Sequence, residues 1–463
     1  MKDAMQRKAA RSARRVAPPA PAQKHAPKAD AEFEAQRAAT AAAFETQRAD
    51  AAARFEAAAA GAKGELVLRP GKERSLRRRH PWVYDTAVAR VLGKPQAGDL
   101  VAVRAGDGAW LAWAAYSPAS TLRARCWSFT EGERIDADWV AARVRAAVAR
   151  RAHLRQDTDA VRLVFGEADG LPGFIADRYA DQLVVQFQAA GVDAQRDALL
   201  DALVGATGCG DVFERSDSAT RNREGLPPAA GTVRGVEPPE AIAVVEHGLR
   251  YRVDIRRGHK TGFYIDQRDN RRHLRDFAAR FIVRHGRAPR LLNAFCYTGG
   301  FSLAAAAGGA GDVVSIDSSA EALELARRHW SLNGFDAVPA QWRQADVFEA
   351  LRTLRNEGRT FDLIVLDPPK FASSHHHVDR AARAYKDINL SALRLLAPGG
   401  ALLTFSCSGA IDIDLFQKIV AGAVFDAGVD CQMLARLAAG EDHPLLMTHP
   451  EGEYLKGLAL LRL

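Results

Sequence analysis

Apolar and polar positions change rhythm several times along the chain, and each change marks a different kind of element. Beyond residue 290, short apolar runs of strand length (RLLNAF, DVVSID, FDLIVLD, GALLTFS) alternate with stretches of helical period (SLAAAA, AEALELARRHWSLNGF). This alternation predicts a doubly wound α/β sheet over residues 258–463, with VDCQMLARL and LKGLALLRL as a closing hairpin. Upstream, LVLRPGKERSLRRRHPWVY, GDLVAVRAGDGAWLAWAAYSP and TLRARCWSF read as short strands separated by Gly turns, a small β domain over residues 65–135. Residues 139–256 combine a helical stretch (VAARVRAAVARRAHLR), a hairpin-rich piece (RLVFGEADGLPGFIADRYADQLVVQF) and a second helix (DAQRDALLDALVGAT). They predict a central α+β domain.

Residues 1–62 follow neither rhythm. The first 28 hold eight Lys/Arg against one acid amid Pro and Ala, the composition of a disordered basic arm. Phe33, Phe44 and Phe55 then recur at eleven-residue spacing on an Ala-rich stretch, a partly helical spacer or a partner-docking helix. The net charge of +8 favours a polyanionic partner without choosing among RNA, DNA and acidic lipid. Five scattered cysteines with no CxxC pair argue against a disulfide framework or a zinc site and suit a reducing compartment. No apolar run approaches the roughly 18 residues a membrane span requires, and the basic N-terminus has no hydrophobic core behind it. A cytoplasmic protein with no membrane partner is expected.

The polar residues at the strand ends carry the chemistry. After RLLNAF, Cys296-Tyr297-Thr298-Gly299-Gly300 turns the chain into a helix whose N-terminus suits a carboxylate-bearing ligand. The turn is not GxGxxG, so no pyrophosphate is implied. Asp317 ends the next strand, 18 residues past Gly299, where an acid accepts ribose hydroxyls. Asp346 closes the third strand, where an acid meets an adenine amino group. Asp367-Pro368-Pro369-Lys370 closes the fourth, because proline cannot continue the ladder. Ser406-Cys407-Ser408 closes the fifth. Singly, each acid reads as an ordinary strand-end residue. Together they converge on one crevice.

NAFCYTGGF, IDSS, NGF, ADVF, DPPKF and FSCS resemble, in this order, the motifs of class I S-adenosylmethionine (SAM)-dependent methyltransferases, whose domain is Rossmann-like and seven-stranded. More narrowly they resemble the bacterial large-subunit ribosomal RNA cytosine-C5 methyltransferase family. GHKTGFYIDQRDNRR and DHPLLMTHPEGEYLKGL are similar to that family too, and LRPGKERSLRRRHPWVY resembles the opening of its PUA RNA-binding domain. The likeness covers residues 65–463. It implies that Asn293, Phe295, Tyr297, Thr298, Gly299 and Gly300 line the methionine end of SAM, with Asp317 at the ribose, Asp346 at the adenine, and Gln267 and Asp367 near the same pocket. Large-subunit rRNA is the implied partner, with a homodimer open as an assembly.

Cytosine C5 is too weak a nucleophile to take a methyl group directly. A thiolate adding to C6 makes C5 enamine-like, which suits cysteine. Cys407 is the cysteine expected at a strand end facing Asp367, and Asp367 can hydrogen-bond the base near N3. Lys370 either lowers the thiol pKa or binds phosphate. Some cytosine-C5 enzymes carry a second cysteine where Lys370 stands here, so another base must release the product. Cys296 reads as packing, and His375-His376-His377 as a polar loop near RNA with no metal. Arg69, Lys72, Arg74, Arg77, Arg78, Arg79 and His80 concentrate charge within twelve residues, followed by Trp82, a combination that neutralises phosphates and stacks bases. Two competing readings stand beside this one. In the first, Asp-Pro-Pro-Lys positions a purine or exocyclic nitrogen for direct transfer. In the second, the chain is a non-catalytic RNA-binding assembly factor.

Overall fold

Residues 62–371 and 377–463 are described by the computed structural model. The basic arm with its phenylalanine repeat, and His375 and His376 of the histidine run, lie outside the described residues. Six short strands open the described chain: β1 (Gly64–Leu68), β2 (Trp82–Tyr84), β3 (Val88–Gly93), β4 (Leu100–Arg104), β5 (Trp110–Tyr116) and β6 (Leu122–Ser128). They form one sheet in the order β2-β6-β5-β4-β1-β3 around Leu66, Val83, Val101 and Val103. The basic turn between β1 and β2 holds one helical turn, α1 (Arg74–Arg77), pinned to this core by Leu76 alone.

Helix α2 (Ala137–Arg150) starts where Asp136 accepts the Trp139 amide at 3.0 Å, an N-cap. It packs with α3 (Arg196–Thr207) against a second sheet built from β7 (Ala160–Phe165), β8 (Phe174–Tyr179), β9 (Gln182–Phe187), β10 (Asp211–Ser216) and β11 (Ala229–Arg234). A hairpin of β12 (Ile242–Glu246) and β13 (Leu249–Val253) follows. Val244 and Tyr251 share one core with Tyr179 on one side and Leu291 on the other. The hydrophobic core is therefore continuous across residue 256, where the strand pattern suggested a break.

The last sheet carries the site. Helix α4 (Arg268–His285) leads into β14 (Arg290–Ala294), α5 (Gly300–Ala307), β15 (Asp312–Asp317), α6 (Ala320–Leu332), β16 (Ala340–Gln344), α7 (Val347–Asn356), β17 (Phe361–Leu366), α8 (Val378–Leu395), β18 (Leu396–Ser406), α9 (Ile413–Ala427), β19 (Cys431–Ala438) and β20 (Lys456–Arg462). Strand order is β16-β15-β14-β17-β18-β20-β19, with β20 antiparallel to both its neighbours. β17 is buried along its whole length, as its unbroken apolar run dictates. Between β14 and β17 the strand order reverses, and their carboxyl ends open the crevice.

The strands β19 and β20 are joined by residues 439–455, which return across the molecule. There Asp442 takes both arms of the Arg268 guanidinium (2.9 and 3.1 Å) and the Arg162 amide (3.0 Å). Arg151 donates to the Asp442 carbonyl and to Asp169. This charged knot ties the central sheet to the last one.

Candidate active site

After β14 the chain passes through Phe295 (φ 60°) and Tyr297 (φ 46°) to Gly299 (φ 79°), which caps α5. Left-handed backbone at two aromatic residues costs on the order of 1–2 kcal/mol each, so the turn is held from outside. Asp317 accepts the amides of Tyr297 (2.8 Å) and Ser319 (2.9 Å). His329 of α6 donates from Nδ1 to the Thr298 carbonyl at 3.0 Å. The Tyr297 ring stacks on His259 at 4.6 Å. Glycine suits position 299: its backbone is left-handed, and a Cβ there would stand 3.0 Å from Ala326 Cβ and 3.3 Å from the Trp342 ring.

These residues fit SAM. After two backbone bonds the Asp317 carboxylate keeps lone pairs for ribose hydroxyls. Asp346 lies exposed just past β16, where its Oδ1 caps α7 by accepting the Glu349 amide (3.1 Å). Phe371 faces Phe295 at 6.5 Å and Phe348 at 6.0 Å, an apolar wall suited to adenine. Asn293 requires a correction. It is fully buried, and its amide donates to Ser302 Oγ at 2.9 Å, so it braces the turn from beneath instead of lining the crevice. Cys296 is buried as well, and burial, with Asp317 nearby, pushes its thiol far up.

Across the crevice, β17 ends at the prolines and β18 at Ser406. Cys407 is half-buried, with Sγ 3.9 Å from the Pro368 carbonyl, so the thiol faces the Asp367-Pro368 edge and not the packed interior. Its loop is anchored by Lys456 Nζ on the Ser408 carbonyl (2.9 Å) and by the Tyr385 hydroxyl on Ser408 Oγ (3.0 Å). Burial and the negative charge of Asp266 push the Asp367 carboxyl up to about 7, against the pull of Lys260 and a hydrogen bond from Gln267. Burial and Asp367 likewise raise the Cys407 thiol, while Lys260 and Lys370 lower it. Lys370 itself is exposed. Gln267 is buried, with Oε1 held by Asn270 at 2.6 Å, and this fixes which end of its amide meets Asp367.

Lys260, Tyr264 and Asp266 were not anticipated, although they lie in the GHKTGFYIDQRDNRR stretch. Lys260 (φ 56°) bonds Asp266 at 2.5 Å and sits 4.4 Å over the Tyr264 ring. The signal was the pair of glycines bracketing the lysine. A Cβ at Gly258 would come within 2.4 Å of the Asp254 carbonyl, so the loop folds tightly back on itself.

The six cations Arg69, Lys72, Arg74, Arg77, Arg78 and Arg79 are all exposed. Trp82 is placed differently. Its indole N–H donates to Glu167 at 2.8 Å, and its ring meets His449 at 4.3 Å, so it joins the first domain to the rest of the chain. His80 does the same, with Nε2 3.1 Å from Glu451. Among the described residues no group of His, Cys, Asp or Glu is placed to hold a metal ion.

Comparison with known proteins agrees with this architecture. Residues 217–428 match the S-adenosylmethionine-dependent methyltransferase family, and residues 66–129 match a PUA-like domain. Relatives named "Ribosomal RNA large subunit methyltransferase I" include one from Shewanella denitrificans, 49% identical over 85% of this chain and 98% of that one. Another, from Klebsiella pneumoniae, is 46% identical over 85% and 97%. Among solved structures, a chain from Streptococcus mutans assigned as a SAM-dependent methyltransferase shares the fold, with TM-score 0.73, 21% identity and coverage of 86% and 99%. With identity of this order along nearly the whole length of those relatives, the chain belongs to the ribosomal RNA large subunit methyltransferase I family and is a SAM-dependent methyltransferase.

Proposed function

We propose that the protein methylates C5 of a cytosine in large-subunit ribosomal RNA, in the cytoplasm, through a transient bond between Cys407 Sγ and cytosine C6. The observation that carries this reading is the half-buried thiol of Cys407 beside Pro368, on the same edge as a carboxyl that titrates near neutrality. SAM supplies the electrophilic methyl group. The protein's residues do the rest. Protonated Asp367 donates to cytosine N3, which draws electrons from C6 as the thiolate adds there. While it holds its proton, Asp367 carries no charge to hold the thiol up, so the same protonated state favours the thiolate and supplies the donor to N3. C5 then bonds the methyl carbon. Loss of the C5 proton to a base re-forms the C5–C6 double bond and expels the thiolate, while N3 returns its proton to Asp367. The target base must leave its stack to reach the crevice. Arg69, Lys72, Arg74 and Arg77–Arg79 hold the neighbouring backbone.

An RNA carrying 5-fluorocytosine tests this reading, because fluorine blocks the final elimination. With SAM it should trap a denaturant-resistant protein–RNA adduct. Cys407→Ala should abolish both the adduct and methyl transfer to unmodified rRNA, with SAM affinity retained. Transfer that survives the substitution, or a methylated purine as product, would overturn the cytosine assignment.

A further inference from the structure

The loop formed by residues 254–267 contributes a cation that the reaction as described leaves unused. Lys260 is a non-glycine residue in left-handed backbone, a conformation that persists only where the surroundings impose it. Its Nζ lies 2.5 Å from Asp266 Oδ2, and the same oxygen accepts the Tyr454 hydroxyl at 2.7 Å. Asp266 is buried, and its other oxygen has no partner among the described residues. The next residue, Gln267, hydrogen-bonds Asp367, and the residue after Asp367 offers its carbonyl to Cys407. A short chain of contacts therefore runs from Lys260 through Asp266-Gln267 and Asp367-Pro368 to the thiol.

We infer that Lys260, fastened to Asp266, is a positioning residue that sets the charge state in which Cys407 meets its substrate. The inference rests on reading Cys407 as the nucleophile. A surface ion pair needs neither a strained backbone nor a buried partner. Here the carboxylate is taken out of water and pressed toward two groups that it disfavours when they are ionised, Asp367 and Cys407. Burial alone would raise the Asp266 carboxyl, but Lys260 and then His443 hold it well below the usual range, so the carboxylate stays charged and the lysine stays close. The cation offsets that carboxylate at both reacting groups. The charged and titratable groups facing the thiol are Lys260, Tyr264 and Asp266 from this loop, Asp367 and Lys370 from the end of β17, Tyr385 from α8, and Lys456 from β20. Of these, Lys260 and Asp266 form a bonded pair of opposite sign, so their removal must act in opposite directions.

The pH dependence of iodoacetamide labelling at Cys407, read by peptide mass mapping on the full chain without RNA, tests the inference. Lys260→Met should move half-labelling upward by about one pH unit, slowing labelling at pH 8 several-fold. Asp266→Asn should move it downward. Lys260→Arg should restore the wild-type profile. Lys260 is about one-third exposed, with 36% of its side chain accessible, so its variants should fold. SAM binding checks that they have. Shifts of the same sign in Lys260→Met and Asp266→Asn, or no shift in Lys260→Met with SAM binding intact, would overturn the inference. Labelling is independent of methyl transfer. A failure here leaves the adduct experiment standing, and a failure of that experiment is visible without this one.

Discussion

Around Cys407 the charged groups have polar partners within the fold: Lys260 has Asp266, Asp367 has Gln267, and Lys456 has the Ser408 carbonyl. Along residues 69–79 six cations stand in solvent, and among the described residues their one ion pair is the 3.8 Å contact from Arg77 to Asp107. The first arrangement alters protonation, since buried charges act at short range with little screening. The second suits phosphate, drawn by a field that salt weakens. Chemistry and grip thus use the same side-chain types under opposite conditions of solvation.

The widest break in that contrast should come from Asp367→Asn. Methyl transfer should fall by about 10²–10⁴-fold, the usual worth of a general acid–base group. Stability should move the other way. The folded carboxyl titrates at about 7, above its unfolded value near 4. Between those limits the folded state holds a proton that the unfolded state has lost, so wild-type stability declines as pH rises through the window. Asparagine removes that decline. The variant's melting temperature should match wild type at pH 4 and exceed it at pH 8, and calorimetry at the two pH values checks this.

A smaller effect is expected on the exposed side. Replacing Arg77, Arg78 and Arg79 together by Ala should weaken rRNA binding about 10–100-fold near 50 mM salt and much less at 300 mM. The slope of log affinity against log salt should flatten by about 0.7–0.9 for each lost phosphate contact. Maximal turnover should be unchanged, and a fall in turnover at saturating RNA would blur the division of labour. The smallest effect should follow Trp82→Phe. Loss of the bond to Glu167 should cost about 1 kcal/mol of stability, measurable in urea, with RNA affinity unaltered. Weakened RNA binding at constant stability would return Trp82 to base stacking.

Much of this architecture was legible in the sequence because it depends on local signals. Apolar runs capped by glycine or proline fixed the strands of the last sheet, and each strand end showed its acid or thiol. The places of Asp317, Asp367 and Cys407 at strand ends follow from period and punctuation, while the roles proposed for them come from the resemblance. What stayed hidden depends on contacts between distant segments. The resemblance put Asn293 at the methionine end of the crevice, yet β14 points its side chain into the interior toward Ser302. Trp82 follows a run of arginines and looked like part of their surface, but residues more than eighty and three hundred positions away cover its ring. Lys260 belongs to a loop with no periodicity, where the two bracketing glycines marked a tight fold but not that the lysine would face Asp266.

The junction of His80 and Trp82 with Glu167, His449 and Glu451 has a further consequence. The first domain is not tethered by a loose strap; it is bolted to the central domain through Glu167 and to the β19–β20 connection through His449 and Glu451. On the reading proposed above, that junction sets the span between the exposed arginines and the Cys407 sulfur, like the opening of a caliper. On that reading a nucleotide would be chosen by how far it lies from the held backbone in the folded RNA as well as by its identity.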